Sequence, residues 1–480
     1  MALQARAKVS GGDSRGTYLS FLPLAASVGL VGVTALGIVG GGAGVLQLAF
    51  PVMAVGVGAL WLWQRPVGYL GYAWWLWFLT PAVRRLVDNE IGYTEASLIM
   101  VAPFLVSCLA FASIMLNLHR FAHRYRLPFA LITLGLGYSY GVGVFIGSPF
   151  GATFDLLNWL APIILGAYLL VTTDRFAAQR RVVERTFMWG LLLMGVYGLY
   201  QFLVLPVWDG YWMENAAMSS IGTPFPFEVR VFSTLNSPGP FATVVMAGLL
   251  LCLRMPGTLR WGAAAVGFAG FLLSLVRSAW GGLVVGLLVL AVQLPTLERT
   301  RLVLALVVVG VVALPLLTIG PVAESIGTRF ESLEDLEEDT SLNARLRLYE
   351  DMAAFLVRNP LGLGLGTTGV ASNLSASEGL PDLDSGVIAV FYSFGVLGTL
   401  YYAGGVAWLF ILALVQLRGA GAFGLTCLSV AVAGLSQVVF GNAWVGVAGA
   451  VLWFFLCMTL ASHEHERAQL KGTQRGEARA

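Results

Sequence analysis

The sequence predicts an all-α fold: a polytopic bundle of transmembrane helices, with one large outer-face loop that contains an amphipathic helix. Three observations predict it. Hydrophobic residues make up 58% of the chain and charged residues only 11%, well below the charged share of roughly one quarter in soluble domains. Mean hydropathy is +0.80. Apolar stretches long enough to cross a bilayer as helices recur along nearly the whole length. In lipid the backbone has to satisfy its own hydrogen bonds, and a helix does so within one segment.

Taken in order, the apolar stretches predict about 14 spans. They lie near 21–38, 43–63, 66–83, 96–117, 127–146, 153–173, 187–206, 239–253, 261–275, 279–294, 302–319, 386–417, 421–440 and 443–461. No small-residue cleavage site follows the first run, so it reads as a span and not a removable signal. The 386–417 stretch is too long for one simple crossing, so a surface helix at its start or a strong tilt is expected. Residues 261–294 are also too long, and Ser274, Arg277 and Ser278 mark the break.

Lysine and arginine set the orientation. With the amino terminus inside, 20 of the 28 basic residues fall on inner segments, Arg120, Arg124, Arg180 and Arg181 among them, and eight fall outside. Both termini are therefore expected in the cytoplasm. The organisation reads as a basic cytoplasmic tail (1–20), eleven spans (21–319) with a shorter outer loop at 207–240, a large outer loop (320–385), three last spans (386–461) and a cytoplasmic tail (462–480). Cys108, Cys252, Cys427 and Cys457 all fall in apolar spans without a Cys-x-x-Cys pair, so neither a disulfide framework nor a zinc site is indicated. A net charge of +2 without a basic, aromatic-interleaved patch gives no sign of a nucleic-acid partner.

The large outer loop carries "ESLEDLEEDTSLNARLRLYEDMAAFLVRNP". Leu342, Leu346, Tyr349, Ala353 and Leu356 recur at steps of four and three, a helical stripe that Asn359 and Pro360 end. Glu331 to Asp339 reads as a solvated face or turn, with a cation site as the minor alternative. The glycines of "RNPLGLGLGTTG", residues 358–369, alternate as in a phosphate cradle. A dinucleotide fingerprint would need a preceding strand, and a Walker loop would need Gly-Lys-Ser/Thr. Neither is present, since no lysine occurs between Lys8 and Lys471. Tight turning and close backbone packing against the bundle is the expectation.

All eight outer basic residues are arginines, whose planar fork suits phosphate and stays charged where water is scarce. Arg347 has Glu350 and Asp351 at i+3 and i+4, so a local pair is expected. Arg84 and Arg85, near Asp88 and Glu90, are expected to anchor a helix end. Arg345 has no acidic residue at i±3 or i±4, and Arg277 has none nearby in sequence. For these two, either an anionic ligand or a distant carboxylate supplies the counter-charge.

The four histidines, His119, His123, His463 and His465, all fall on inner segments. Outer-face chemistry would then need a carboxylate, a tyrosine or a positioned water as base. Asp382 and Asp384 in "LPDLDSGVIAVFYSFGVLG" stand where an outer loop meets a span, and partial desolvation at a membrane rim raises a carboxylate pKa. Asp384 or Ser385 would equally cap the following helix, so both readings remain open.

Four stretches occur in order within roughly residues 150–415: "RVFSTLNSPGPFATVV", "LLSLVRSAWGGLVVGLLVL", "ARLRLYEDMAAFLVRNPLGLGLG" and "DSGVIAVFYSFGVLG". Together they resemble the O-antigen ligase and polymerase superfamily, bacterial enzymes of the inner membrane that act on undecaprenyl-diphosphate-linked glycans. The resemblance implies a GT-C type membrane glycosyltransferase. It implies that Arg230, Arg277 and Arg345 hold the lipid diphosphate, with Asn236, Arg347 and Tyr349 in support. Asp384 or Asp382 would take the proton of the acceptor hydroxyl, with no metal and no cofactor. Implied partners are the lipid-linked oligosaccharide, a glycan acceptor, membrane lipid, and assembly proteins such as a flippase and a chain-length regulator. Ligases of the family carry a histidine where this chain reads "DLDSG". That departure favours an exopolysaccharide or O-antigen polymerase over a ligase. A transporter or flippase of lipid-linked sugars is the alternative of a different class, and an export scaffold is a weaker third. Transporters place ionisable groups near the membrane midplane, whereas the span centres here are almost free of charge and Asp155 lies near an outer end.

Overall fold

A computed structural model describes residues 14–216, 218–293, 297, 299–300, 349, 352, 354–367 and 385–477. In chain order the helices are α1 (Ser14–Val39), α2 (Ala43–Gln64), α3 (Pro66–Ile91), α4 (Ala102–Leu116), α5 (His123–Ile146), α6 (Pro149–Val171) and α7 (Phe176–Val204). The short α8 (Val207–Asn215) follows, then α9 (Pro238–Cys252), α10 (Leu259–Leu273), α11 (Arg277–Gln293), α12 (Gly386–Val415), α13 (Gly421–Ser436) and α14 (Gly446–Glu477). Among the described residues there is no β-strand, only an isolated antiparallel bridge between Gly222 and Val229. The protein is a polytopic helical bundle.

Nine helices among the described residues are long and apolar enough to cross a membrane, and α9, α10 and α11 are shorter apolar helices. α3 meets the length but not the hydropathy, because its charge-free first turns are rich in tyrosine, tryptophan, glycine and proline, and Arg84, Arg85, Asp88 and Glu90 follow in its last turns. The expected 302–319 span, the acidic run and most of the expected 342–360 helix lie outside the described residues, as do Arg345, Arg347, Asp382 and Asp384. Of that helix, Tyr349, Met352 and 354–358 are helical. The over-long 386–417 stretch resolves as α12, bent at Gly395, whose φ of 60° interrupts the helix. The stretch from 462, expected as a tail, continues α14 as helix to Glu477, with Glu464 paired to Arg124.

Aromatic rings fill the core. Trp74 on α3 meets Phe187 of α7 at 4.7 Å and Phe454 of α14 at 5.3 Å between ring centroids. Tyr402 of α12 lies edge-on to Trp159 of α6, 5.4 Å away, and to Trp444 at 5.6 Å. Bulk of this kind alternates with small residues that let helices close up, as expected where packing rather than water drives association. A Cβ on Gly166 would stand 2.7 Å from the Trp453 carbonyl oxygen.

The glycine run is a close-packed crossing. Leu363 and Gly364 donate backbone N–H groups to Tyr392 and Ser393 oxygens of α12 (2.8 and 3.0 Å), and Leu365 donates to Ser139 of α5 (3.0 Å). Gly366 N–H donates to the buried Asp155 carboxylate of α6 at 3.0 Å. Gly362, Gly364 and Gly366 take φ of 77°, 82° and 83°, a region that costs a side-chain-bearing residue about 1–2 kcal/mol. A Cβ on Gly364 would overlap the backbone of Gly143, and one on Gly366 the backbone of Ala152. The run binds three helices through its backbone.

Gly364→Ala should therefore lower stability by at least about 1–3 kcal/mol, since strained φ and overlap coincide there. Gly137→Ala on α5, where a Cβ meets nothing within 4 Å, is the matched control and should be neutral or stabilising. Thermal unfolding of the detergent-solubilised protein reads both; equal midpoints would contradict the packing argument.

Candidate functional site

Ion pairs such as Arg124–Glu464 and Arg180–Glu184 lie at other helix ends. One end of the bundle gathers a separate set of buried and half-buried charged and polar groups. Its foundation is an ion pair between Arg85, near the end of α3, and Asp209 of α8: Nη1 to Oδ1 is 2.9 Å, and both side chains are fully buried. Arg85 Nη2 also donates to the carbonyl oxygen of Ser233 at 2.5 Å. Its guanidinium lies over the ring of Phe232, 4.8 Å from the centroid. Gln201, buried at the end of α7, completes the junction. Its Nε2 donates to Asp209 Oδ2 (2.6 Å), while its Oε1 accepts from Phe232 N–H (3.0 Å) and Ser233 N–H (2.8 Å).

Tyr197 donates its hydroxyl to the same Asp209 oxygen at 2.9 Å. Burial pushes the Asp209 carboxyl up from the ordinary carboxylate range, and Arg85, Gln201 and Tyr197 oppose that shift. Arg84, one residue earlier, turns the other way: it pairs with Asp88 at 3.2 Å and caps the Thr94 and Glu95 carbonyls. The two neighbouring arginines, alike in sequence, thus do different things. Arg84 anchors its own helix end as expected; Arg85 holds a loop that begins more than 100 residues later.

That loop delivers Arg230. The α10–α11 connection is three residues long, with Leu275 at φ 54°. Val231 N–H donates to the Leu273 carbonyl (3.0 Å), Arg230 Nε to Ser274 (3.2 Å) and Arg230 Nη2 to Leu275 (3.0 Å). Arg277 is the first residue of α11, at the end of a helix where the backbone dipole favours anions. The break predicted at Ser274, Arg277 and Ser278 is therefore present, and Arg230 grips it two residues before Arg277. Both arginines are half-buried.

A second part of the same end carries Tyr349. Its hydroxyl lies 2.8 Å from Ser385 Oγ and donates at 3.5 Å to the carbonyl of Val439. Ser385 caps α12, its Oγ accepting from Ile388 N–H. Phe355 stacks on Tyr392 with centroids 3.9 Å apart, fixing the helical turn against α12. Gln437 ties this part to the first: Thr243 of α9 donates to its Oε1 at 3.1 Å, and a Cβ on Gly282 of α11 would touch its Cγ.

Of the expected site residues, Arg230 and Arg277 meet at one helix break. Asn236 is held nearby, its carbonyl accepting from Trp212 Nε1 at 3.1 Å, and its amide faces Met100 sulfur. Tyr349 sits on the α12 cap. Arg345, Arg347, Asp382 and Asp384 lie outside the described residues. Arg85, Asp209 and Gln201 were not singled out as site residues from the sequence. Their only sequence signal is polarity at the edge of an apolar run, which does not name a partner.

Removing one partner of the buried pair strands the other charge, so Arg85→Met or Asp209→Leu alone should cost about 3–5 kcal/mol. The double variant should recover a large part of that loss. A chemical-denaturation cycle measures it; additive losses would show that the two side chains do not act as a pair.

No curated protein matches the chain. A family model described as O-antigen ligase matches residues 262–403, the stretch that holds the α10–α11 break, Arg277, Tyr349 and the start of α12. Over that stretch the chain is similar to an O-antigen ligase/polymerase-like family, and this supports an O-antigen ligase- or polymerase-type function for a multi-pass membrane protein.

Proposed function

We propose that the protein transfers a glycan from an undecaprenyl-diphosphate-linked donor to a sugar hydroxyl at the outer face of the bacterial inner membrane, polymerising repeat units of an exopolysaccharide or O-antigen. The observation that carries the reading is the cationic helix break: Arg230 and Arg277 on a half-buried junction at the head of α11. A diphosphate at a membrane interface is the anion such a junction suits. The family match at 262–403 supports the reaction class.

In the proposed step an acceptor hydroxyl oxygen attacks the anomeric carbon and forms the new glycosidic C–O bond. The bond from that carbon to the diphosphate oxygen breaks, the anomeric centre inverts, and the lipid diphosphate departs. Arg277, with Arg345 from the large loop, neutralises the negative charge that grows on the leaving group. Asp384, adjacent in sequence to the α12 cap, or Asp382, takes the hydroxyl proton. The diphosphate is already a good leaving group, so the proposal needs no nucleotide, metal or cofactor. Both termini lie in the cytoplasm on this reading, with the site on the opposite face. Ligation to lipid A-core is the alternative within the family; the "DLDSG" sequence in place of the ligase histidine favours the polymerase.

Glycan profiling of a deletion strain tests it. Loss of a polymerase should leave single repeat units on their acceptor, whereas loss of a ligase should leave full chains on the lipid carrier. Unchanged glycans with altered lipid flipping would overturn both. In complementation, Arg277→Ala should reduce product by about 100-fold or more, the scale of losing one preorganised donor. Normal product from that variant would remove Arg277 from the site.

A further inference from the structure

The C-terminal end of α10 is capped with unusual completeness. The last carbonyls of a helix have no partners within it, yet here each from Phe271 to Leu275 is engaged. Phe271 accepts from Ser274 Oγ (2.6 Å) and Trp280 Nε1 (3.3 Å), and Leu272 from Leu275 N–H (3.0 Å). Leu273 accepts from Val231 N–H, and Ser274 and Leu275 from the two arms of the Arg230 guanidinium. A cation at this end of a helix faces the negative pole of the backbone dipole. Arg277 stands just past the three-residue connection that follows α10, at the positive pole of α11. The two arginines are neighbours but occupy electrostatically opposite helix ends.

We infer that Arg230 is a positioning residue that acts through Arg277, bridging the Ser274 and Leu275 carbonyls to hold the α10–α11 break in the conformation that aims Arg277 at the anion. This rests on the lipid-diphosphate reading above and divides the labour within it. Leu275 is held at φ 54°, a conformation a residue with a Cβ leaves unless its surroundings hold it, and Arg230 supplies a planar fork that spans two successive carbonyls. A lysine keeps the charge but not the fork. By shielding the α10 carbonyls, Arg230 also takes a negative helix end away from a site meant for a diphosphate.

Binding of undecaprenyl diphosphate to the purified full chain in liposomes tests the inference, with both Kd and the fraction of competent protein recorded. Arg230→Lys and Arg230→Gln should each weaken Kd by about tenfold or more, at full stoichiometry. In an Arg277→Ala background the same two changes should alter Kd by less than about twofold, because their effect passes through Arg277. If Arg230→Gln does not accumulate, the lysine variant decides alone. Wild-type-like binding by Arg230→Lys, or losses at 230 and 277 that multiply in the double variant, would make Arg230 a direct ligand and overturn the inference. A fall in competent fraction with unchanged Kd would make its role merely structural and also overturn it. Failure of the unaltered chain to bind, or undiminished binding by Arg277→Ala, would instead bring down the lipid-diphosphate reading and this inference with it.

Discussion

The architecture of the 207–240 loop depends on one buried ion pair, Arg85 with Asp209. Two charges with no exposure to solvent cost several kcal/mol each to desolvate, and only good geometry with further hydrogen bonds offsets that. Those bonds come from Gln201, Tyr197 and the Ser233 carbonyl. The same contacts that satisfy the pair fix Phe232 and Ser233 in place, and these lie two and three residues beyond Arg230. Satisfying a buried charge and placing the loop that carries Arg230 are here one requirement.

From that junction the geometry runs outward in short steps. The loop pins the end of α10, the end of α10 sets the head of α11, and α11 presents Arg277. On the other side the glycine run closes α5, α6 and α12 together through its own backbone, with the Asp155 carboxylate as the acceptor on α6, and Tyr349 meets the α12 cap at Ser385. The membrane explains why this polarity gathers at helix ends, here and at the Arg124–Glu464 pair. A backbone or side-chain polar group at mid-bilayer has no water to fall back on, so irregular chain segments and charges collect where helices stop.

Much of the fold was legible in the sequence, because span length and hydropathy are read directly from the one-dimensional pattern. The starts of α2, α3, α12 and α13 fall on the expected positions, and the break at Ser274–Ser278 was marked by three polar residues within an apolar run. The glycine stretch was read correctly as close packing, since the sequence around it lacks the strand and lysine that a phosphate cradle needs. The site was legible only in part. Arg277 stands out because no carboxylate is near it in sequence. Arg85 was hidden by the opposite circumstance: Asp88 and Glu90 offered local partners, and Arg84 alone uses one. The pairing of Arg85 with Asp209 joins positions 124 residues apart, and no periodicity encodes it. The bend at Gly395 was likewise invisible as such, although the excess length of the 386–417 stretch signalled that something had to give.

The central claim, that this end of the bundle binds a lipid diphosphate and releases it as a glycan is transferred, has a direct test in a reconstituted system. Purified protein in liposomes is given an undecaprenyl-diphosphate-linked oligosaccharide repeat in the presence of a chelator, and lipid and glycan products are followed together. The account predicts that free undecaprenyl diphosphate appears in step with glycans lengthened by whole repeats, joined with inverted anomeric configuration. Folded protein that releases no lipid diphosphate and lengthens no glycan, when offered the repeat its own cell makes, would contradict it.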